Sequence, residues 1–378
     1  MRLRQFLSLL GFATLFPLAA AAQAPPPDQP DLTLNAATRK AVVDTLAERI
    51  ERLYVFPEKA RETARVLRRR LAAREYDRIT SAKELSDSLT SHAQAVTHDL
   101  HLRVSYRHEP VPPMTEDGPP PESEMRRMRE MARRTNYGFE RVERLPGNVG
   151  YLDLRQFAGA PEGQATAVAA MNFLGNVDAL IVDLRRNGGG SPGMIATLLT
   201  YLIEPGDRLM FNTFYQREED QTLQFWTNPY VPGPRLNGKP VYVLTSPRTF
   251  SAAEEFAYDI QTHKLGTIVG AVTGGGAHPG GMFRVHDHFM VFISTGRAVN
   301  PVTKTNWEGV GVKPDIAVKP GEALRVAHVE ALKKAIESVK DDPDRLAALQ
   351  RALDEAGRRM ADPDEDFVRP SLGGRRRP

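Results

Sequence analysis

Two hydrophobic patterns divide the chain into a helical first part and a mixed second part. Between residues 35 and 106, apolar residues recur every three or four positions, which is typical of amphipathic helices. Pro57 separates the first two of these predicted helices. Ser81 and Glu84 have the spacing of a capping box before a third helix. The pattern therefore predicts a small helical N-terminal domain over residues 35–106.

After residue 147, short apolar runs alternate with helical patterns. Strands are predicted at 149–154, 179–184, 240–245, 267–272 and 290–294. Helices are predicted between them at 163–174, 193–202 and 252–261. This alternation is typical of an α/β domain with a central sheet, which we place at 147–320. Two further helices are predicted within 321–362.

The remaining segments have the compositions of ends and connections. Residues 1–22 combine two early arginines, an apolar run and small residues up to Ala22, which is the pattern of a cleaved export signal. An uncleaved anchor is the alternative. We expect a Pro-rich leader at 23–34, a linker with one short helix at 107–146 and a flexible basic tail at 363–378. The export signal predicts a periplasmic or secreted bacterial protein with no stable membrane span after cleavage.

The amino-acid composition mainly excludes certain kinds of site and of function. The 378 residues include no cysteine, which excludes a thiol nucleophile, a disulfide framework and a cysteine-ligated metal site. Fifty Lys and Arg against 47 Asp and Glu give a charge of +3, which is too balanced to indicate nucleic-acid binding. Removal of the signal with its two arginines lowers this to 3 − 2 = +1.

The first candidate site is a glycine-rich turn after the predicted strand 179–184. Gly188, Gly189 and Gly190 lead from this strand into a helix. Glycines leave backbone N–H groups unobstructed, and a helix N-terminus favours negative charge. The turn is therefore a candidate oxyanion or anion site. A phosphate would fit the same physics, but neither common phosphate-loop motif is present. A tight turn without a ligand is the structural alternative.

The second candidate is Ser251, which lies where the predicted strand 240–245 passes through a short turn into a helix. With Glu254 it forms the S-x-x-E spacing of a helix cap. A serine at a strand-to-helix turn is also in the position of a nucleophile, close to helix-terminal N–H groups. Both interpretations require the same hydroxyl.

Four segments in this order resemble peptidase family S41, the C-terminal processing or tail-specific serine peptidases. The segments are DLRRNGGGS (183–191), TSPRTFSAAEEFA (245–257), GAVTGGGAHP (270–279) and NWEGVGVKPD (306–315). They are most similar to the branch with interphotoreceptor retinoid-binding protein and the tricorn protease core. The resemblance implies a ClpP/crotonase-like fold of ββα units, with Ser251 as nucleophile. It also implies oxyanion donors from Gly188, Gly189, Gly190 and the Ala252 N–H.

The resemblance further implies a serine endopeptidase that hydrolyses peptides or unfolded proteins and needs no cofactor or metal. Two features depart from the processing peptidases. Their catalytic lysine aligns with Gly276, and Lys264 nearby is better explained as a surface residue at a helix end. Residues 107–146 are also too few for their PDZ domain.

Without the lysine, a histidine is the expected general base. His101, in the segment before the sheet, matches the base of the tricorn-like branch, and His278 is the rival. Glu308 is the candidate that orients the imidazole or polarises the site, or alternatively a carboxylate that fixes a turn. Asp99 is expected to cap a turn.

Other histidines and other functions were weighed against this hypothesis. His286 and His288 are two residues apart, so on a strand they would share one face, as two zinc ligands can. No third ligand has suitable spacing, so a half-exposed strand is favoured. The main alternative function is a non-catalytic binding protein for apolar, retinoid- or lipid-like ligands on the same fold. Acyl-CoA chemistry is disfavoured by the export signal.

Overall fold

The computed structural model describes residues 29–113, 121–159, 162–339 and 341–368. The predicted export signal at 1–22 and most of the predicted basic tail lie outside the described residues. The described helices are α1 Ala36–Leu53, α2 Pro57–Ala72, α3 Ala82–Thr97, α4 Glu122–Arg134, α5 Gln164–Phe173, α6 Pro192–Thr200, α7 Ala252–Thr262, α8 Ala323–Ser338 and α9 Pro343–Gly357. The strands are β1 Arg103–Tyr106, β2 Phe139–Leu145, β3 Val149–Leu154, β4 Ala179–Asp183, β5 Met210–Gln216, β6 Gln221–Trp226, β7 Val241–Thr245, β8 Thr267–Gly270, β9 Gly280–His286, β10 Phe289–Ser294, β11 Gly296–Val299 and β12 Ile316–Ala317.

A six-stranded sheet in the order β12-β8-β7-β4-β3-β2 forms the centre of the α/β region. All neighbouring pairs are parallel except β2 and β3. Helices α5, α6 and α7 share a core with one face, and α8 and α9 share a core with the other. Because both faces are covered, strands such as β4 and β7 are apolar and buried along their whole length. The predicted α/β class is confirmed.

The sequence prediction assigned residues 107–146 to a linker, but part of this segment forms the edge strand β2. Phe139 and Leu145 at its two ends are buried, but most residues between them are exposed. An edge strand with so few buried positions lacks the apolar run that identifies a central strand. Pairing with β3 is what orders it.

A second sheet, in the order β1-β10-β9, carries the N-terminal helices. Helices α1 and α3 pack against this sheet and α2 packs on both helices, in one shared core that includes Leu46, Leu89, Phe289 and Val291. The helical N-terminal region is therefore joined to strands that come from the second half of the chain. This arrangement holds the loop between α3 and β1, residues 98–102, against Phe250, which follows β7, and Gly276, which follows β8.

The remaining described elements are a third sheet and helix α4. Strands β11, β5 and β6 form a third small sheet, which the sequence analysis did not predict. Helix α4 has no buried residue, as expected for a solvated connector. Within the described residues, no helix is both long and apolar enough to cross a membrane.

Candidate active site

Ser251 begins α7 in a backbone conformation that is rare for any residue except glycine. Its φ is 56° and its ψ is −125°, and such a conformation costs on the order of 1–3 kcal/mol. Ser251 and Glu254 have the arrangement of a capping box, but the Ser251 side chain makes no capping hydrogen bond with α7. A serine hydroxyl on a strained strand-to-helix turn is the geometry of a nucleophile elbow.

The glycine-rich turn after β4 lies directly against Ser251. A Cβ on Gly189 would be 2.7 Å from the Ser251 Cβ and 3.0 Å from the Ala252 nitrogen. Gly189 also has a φ of +110°, which a residue with a side chain rarely adopts. Only glycine permits this approach, so the two segments that the sequence analysis singled out meet at one point.

The backbone N–H groups of this turn are not equivalent. The Gly189 N–H already donates to Oδ1 of Asn187, at 2.8 Å. Those of Gly188, Gly190 and Ala252 make no hydrogen bond to any other residue that the structure describes. Three of the four predicted oxyanion donors are therefore available to an incoming oxygen atom.

Glu254 connects the Ser251 turn to the segment after β8. Its Oε1 accepts from the Thr273 hydroxyl at 2.5 Å and the Gly275 N–H at 2.6 Å. Its Oε2 accepts from the Gly276 N–H at 2.8 Å and the Ser251 N–H at 2.9 Å. Burial raises the pKa of Glu254 to about 7, although these four hydrogen bonds oppose the shift. The sequence indicated the helix cap but not this connection.

His101 lies beside the residue that precedes Ser251. Its ring packs on Phe250, with 4.5 Å between centroids, and on Phe292, at 5.3 Å. A Cβ on Gly276 would be 2.8 Å from Cε1 of His101 and 2.2 Å from Cζ of Phe250. The missing side chain at position 276 thus makes room for the imidazole. A lysine at this position, as in the processing peptidases, would displace it.

Asp99 holds the loop that carries His101. Its Oδ1 accepts the His101 N–H at 2.8 Å, which confirms the predicted turn cap. The same oxygen lies 4.0 Å from Nδ1 of the His101 ring. The carboxylate is almost completely buried.

Glu308 contacts the rival base, His278. Its Oε2 accepts the Ala277 N–H at 2.5 Å and lies 2.7 Å from Nδ1 of His278. Burial lowers the pKa of His278, but the contact with Glu308 outweighs this and raises it above the ordinary value. The ring of His278 also packs edge-on against Phe56, with 5.2 Å between centroids. The neighbouring Trp307 donates its indole N–H to the Gly276 carbonyl at 2.8 Å.

The N-terminal helices supply part of the wall of the site, which sequence reasoning did not identify. Tyr54 follows α1, and burial together with the charges of Asp99 and Glu308 raises the pKa of its phenol. Tyr54 therefore stays protonated. No local motif marks Tyr54 or Phe56, since only packing of α1 and α2 against the second sheet brings them here.

The other candidates lie elsewhere. Lys264 lies beyond the far end of α7, whose 11 residues extend about 16.5 Å from Ser251 at about 1.5 Å per residue. His286 ends β9 and His288 lies in the two-residue turn before β10, so they do not share one strand, as the sequence suggested. A tight turn between two strands leaves no continuous strand on which alternate residues share a face.

Comparison with known proteins extends these observations. The sequence profile of peptidase family S41 matches residues 148–318. A second profile, the N-terminal domain of peptidase S41 in eukaryotic interphotoreceptor retinoid-binding protein, matches residues 32–137. The two matches cover the α/β region and the N-terminal helices respectively.

Individual relatives are distant. Carboxyl-terminal-processing peptidase 1 of Arabidopsis thaliana chloroplasts is 25% identical over 187 residues, which are 49% of this chain and 36% of the relative. The carboxy-terminal-processing protease of Bartonella bacilliformis is 23% identical over 180 residues, 47% of this chain and 40% of the relative. The chain thus spans well under half the length of these relatives. The structure of mature CPAF is 13% identical with a TM-score of 0.51, covers 85% of this chain and 97% of its own, and supports the fold.

We expect Gly276→Ala to displace His101 or Phe250, because the added methyl group cannot fit beside both rings. The displacement should lower the rate at which Ser251 reacts with a fluorophosphonate by tenfold or more, on the order of 1.4 kcal/mol in activation free energy. Gly357→Ala is the matched control, because its added methyl group would meet no atom within 4 Å. Equal reaction rates for the two variants would contradict this account.

Glu254→Gln should change how stability depends on pH. The folded-state pKa of Glu254 is raised from 4.5 to about 7, so between pH 4.5 and 7 the folded chain holds a proton on Glu254 that the unfolded chain has lost. The stability that this proton contributes is therefore present at pH 4.5 and declines as pH rises to 7 and above. The glutamine amide would also face backbone donors, which lowers stability by about 1–3 kcal/mol. Denaturant unfolding from pH 4.5 to 7.5 measures both effects. If the free energies of unfolding of the two proteins change with pH in parallel, the raised pKa of Glu254 is ruled out.

Proposed function

We propose that this chain, which matches profiles of peptidase family S41 at residues 148–318 and 32–137, is a serine peptidase with Ser251 as nucleophile and His101 as general base. The observation that carries this proposal is the strained backbone of Ser251 at the start of α7, with its hydroxyl outside the helix cap. Strain of this kind persists only where the surrounding structure holds it. Here Glu254 and Gly189 do so.

In the proposed reaction, Ser251 Oγ attacks the scissile carbonyl and His101 accepts its proton. The backbone N–H groups of Gly188, Gly190 and Ala252 stabilise the oxyanion that forms on the carbonyl oxygen. His101 then protonates the leaving amine, and water hydrolyses the acyl-enzyme with the same imidazole as base. These steps need only side chains and water.

The preference for His101 over His278 rests on their surroundings. His101 packs on Phe250, which is adjacent to Ser251 in the chain, and occupies space that Gly276 leaves open. His278 instead contacts Glu308 and Phe56. We propose that the negative charge of Glu308 stabilises the imidazolium that His101 becomes in the reaction, and that Glu308 acts through its contact with His278.

We propose that the substrates are peptide segments of exported proteins and that the enzyme acts in the periplasm or outside the cell. The export pattern of residues 1–22 supports this location. The matched relatives are named as processing peptidases, which favours hydrolysis over the carriage of apolar ligands. Because the chain has no cysteine, covalent catalysis cannot use a thiol, which is consistent with a serine nucleophile.

Ser251→Ala should abolish labelling by a fluorophosphonate, because no acyl-enzyme analogue can form without the hydroxyl. Hydrolysis of fluorescently labelled unfolded casein should fall by about 10⁴-fold or more. Ser338→Ala, which alters an exposed serine at the end of α8, is the control and should label normally. Persistent labelling of the Ser251 variant would refute the assignment of the nucleophile.

A matched pair of histidine variants distinguishes the two candidate bases. His101→Gln should reduce the rate of fluorophosphonate labelling by about 10²–10⁴-fold, because a neutral amide cannot accept the serine proton. His278→Gln should reduce it by less than His101→Gln does, because its contact is with Glu308. The opposite order of rates would identify His278 as the base.

A further inference from the structure

Two buried side chains and one half-buried side chain with metal-binding atoms lie together beside the proposed catalytic pair. Asp99, His278 and Glu308 each offer one oxygen or nitrogen, and these atoms all lie within 4.8 Å of one another. They come from separate parts of the chain: the loop after α3, the loop after β8 and the loop before β12. Only the tertiary structure brings them together.

Several polar atoms of this cluster have no hydrogen bond. Asp99 is 1% exposed and His278 is 5% exposed. Within the described residues, Oδ2 of Asp99 and Oε1 of Glu308 have no hydrogen-bond partner. Nδ1 of His278 lies 2.7 Å from Oε2 of Glu308 and has no other polar contact in that part of the chain. Buried polar atoms are nearly always bonded, so these orphaned atoms point to a ligand.

Charge indicates what kind of ligand would satisfy them. Asp99 and Glu308 are both acidic, and in the described part of the chain their ion-pair contacts are with imidazoles, not with lysine or arginine. Two carboxylates and a neutral imidazole carry a charge of −2. A divalent cation would balance this charge and coordinate the unpaired atoms at the same time.

We propose that Asp99, His278 and Glu308 form a site for a zinc ion. One imidazole nitrogen and two carboxylate oxygens, with a fourth position left for water, are a ligand set that zinc accepts. Mixed nitrogen and oxygen ligands also bind zinc more tightly than manganese or iron. Tetrahedral zinc with ligands about 2.0–2.2 Å away keeps its ligand atoms about 3.4 Å apart. Ligand atoms at the 4.8 Å limit must therefore close by about 1.4 Å, and Nδ1 of His278 must move away from Oε2 of Glu308, which is 2.7 Å distant.

Zinc at this site would inhibit the hydrolysis proposed above, and this part of the inference rests on that proposed function. Asp99 holds the His101 loop through a 2.8 Å hydrogen bond to the His101 N–H. Coordination of Asp99 and Glu308 would draw both carboxylates towards the ion and place its positive charge next to His101. Movement of Asp99 would shift the loop that positions the His101 ring on Phe250.

Binding is measured first on Ser251→Ala, which lacks the proposed nucleophile and retains all three ligands. Equilibrium dialysis against zinc sulfate should give one zinc ion per chain. Adding Asp99→Asn, His278→Gln or Glu308→Gln should weaken binding at least tenfold. Adding His286→Gln, a histidine outside the cluster, is the control and should leave it unchanged. Stoichiometric binding that all three ligand changes leave intact, or no binding by Ser251→Ala, would overturn the proposal.

A spectroscopic measurement covers the case in which a ligand variant does not fold. Cobalt(II) added to Ser251→Ala should give the intense visible bands of a four-coordinate site, and zinc should remove them by competition. Bands typical of six-coordinate, solvent-bound cobalt would contradict the proposed site. Circular dichroism of each variant identifies any that have lost their fold.

Inhibition is tested separately on the unaltered chain. Zinc should slow fluorophosphonate labelling of Ser251 at least tenfold, and EDTA should restore it. Zinc binding without any labelling in the absence of zinc would refute the proposed peptidase and leave the metal site standing. Labelling that proceeds equally with zinc bound would refute the inhibitory role alone.

Discussion

The hydrogen bonds of Glu254 are the interaction on which the rest of the site depends. One buried carboxylate accepts from Ser251, Thr273, Gly275 and Gly276, and so fixes the start of α7 against the segment that follows β8. Both parts are loops at the ends of parallel strands, and loops have few regular hydrogen bonds of their own. A charged group that is buried at this position is tolerable only because four donors surround it.

Two glycines then determine what can stand next to the serine. Gly189 allows the turn after β4 to touch Ser251, and Gly276 leaves the space that His101 and Phe250 fill. The first contact places backbone donors near the hydroxyl. The second leaves the space in which the His101 imidazole stands. A larger side chain at position 276 and this imidazole cannot occupy the same space.

The N-terminal helices belong to the site because they share a core with β9 and β10. That core positions the loop with Asp99 and His101, and it places Tyr54 and Phe56 against the Asp99, His278 and Glu308 cluster. The helical region and the α/β region are therefore not independent in this part of the molecule. Changes in the packing of α1 or α2 would reach the site directly.

The sequence by itself determined the main elements, because buried parallel strands and amphipathic helices have strong hydrophobic periodicity. It also marked Ser251, the glycine-rich turn, His101, His278 and Glu308 as candidates. It did not indicate β2, whose buried residues are too few to produce a pattern, or the small sheets that bring distant strands together.

Only the tertiary structure decided which of these residues meet. Three of the four hydrogen bonds of Glu254, the pairing of Glu308 with His278 and the closeness of Asp99 to both depend on contacts between residues far apart in the chain. Local periodicity reports which face of an element is buried, but it carries no information about which loops adjoin. That is set by sheet order and by packing across the core.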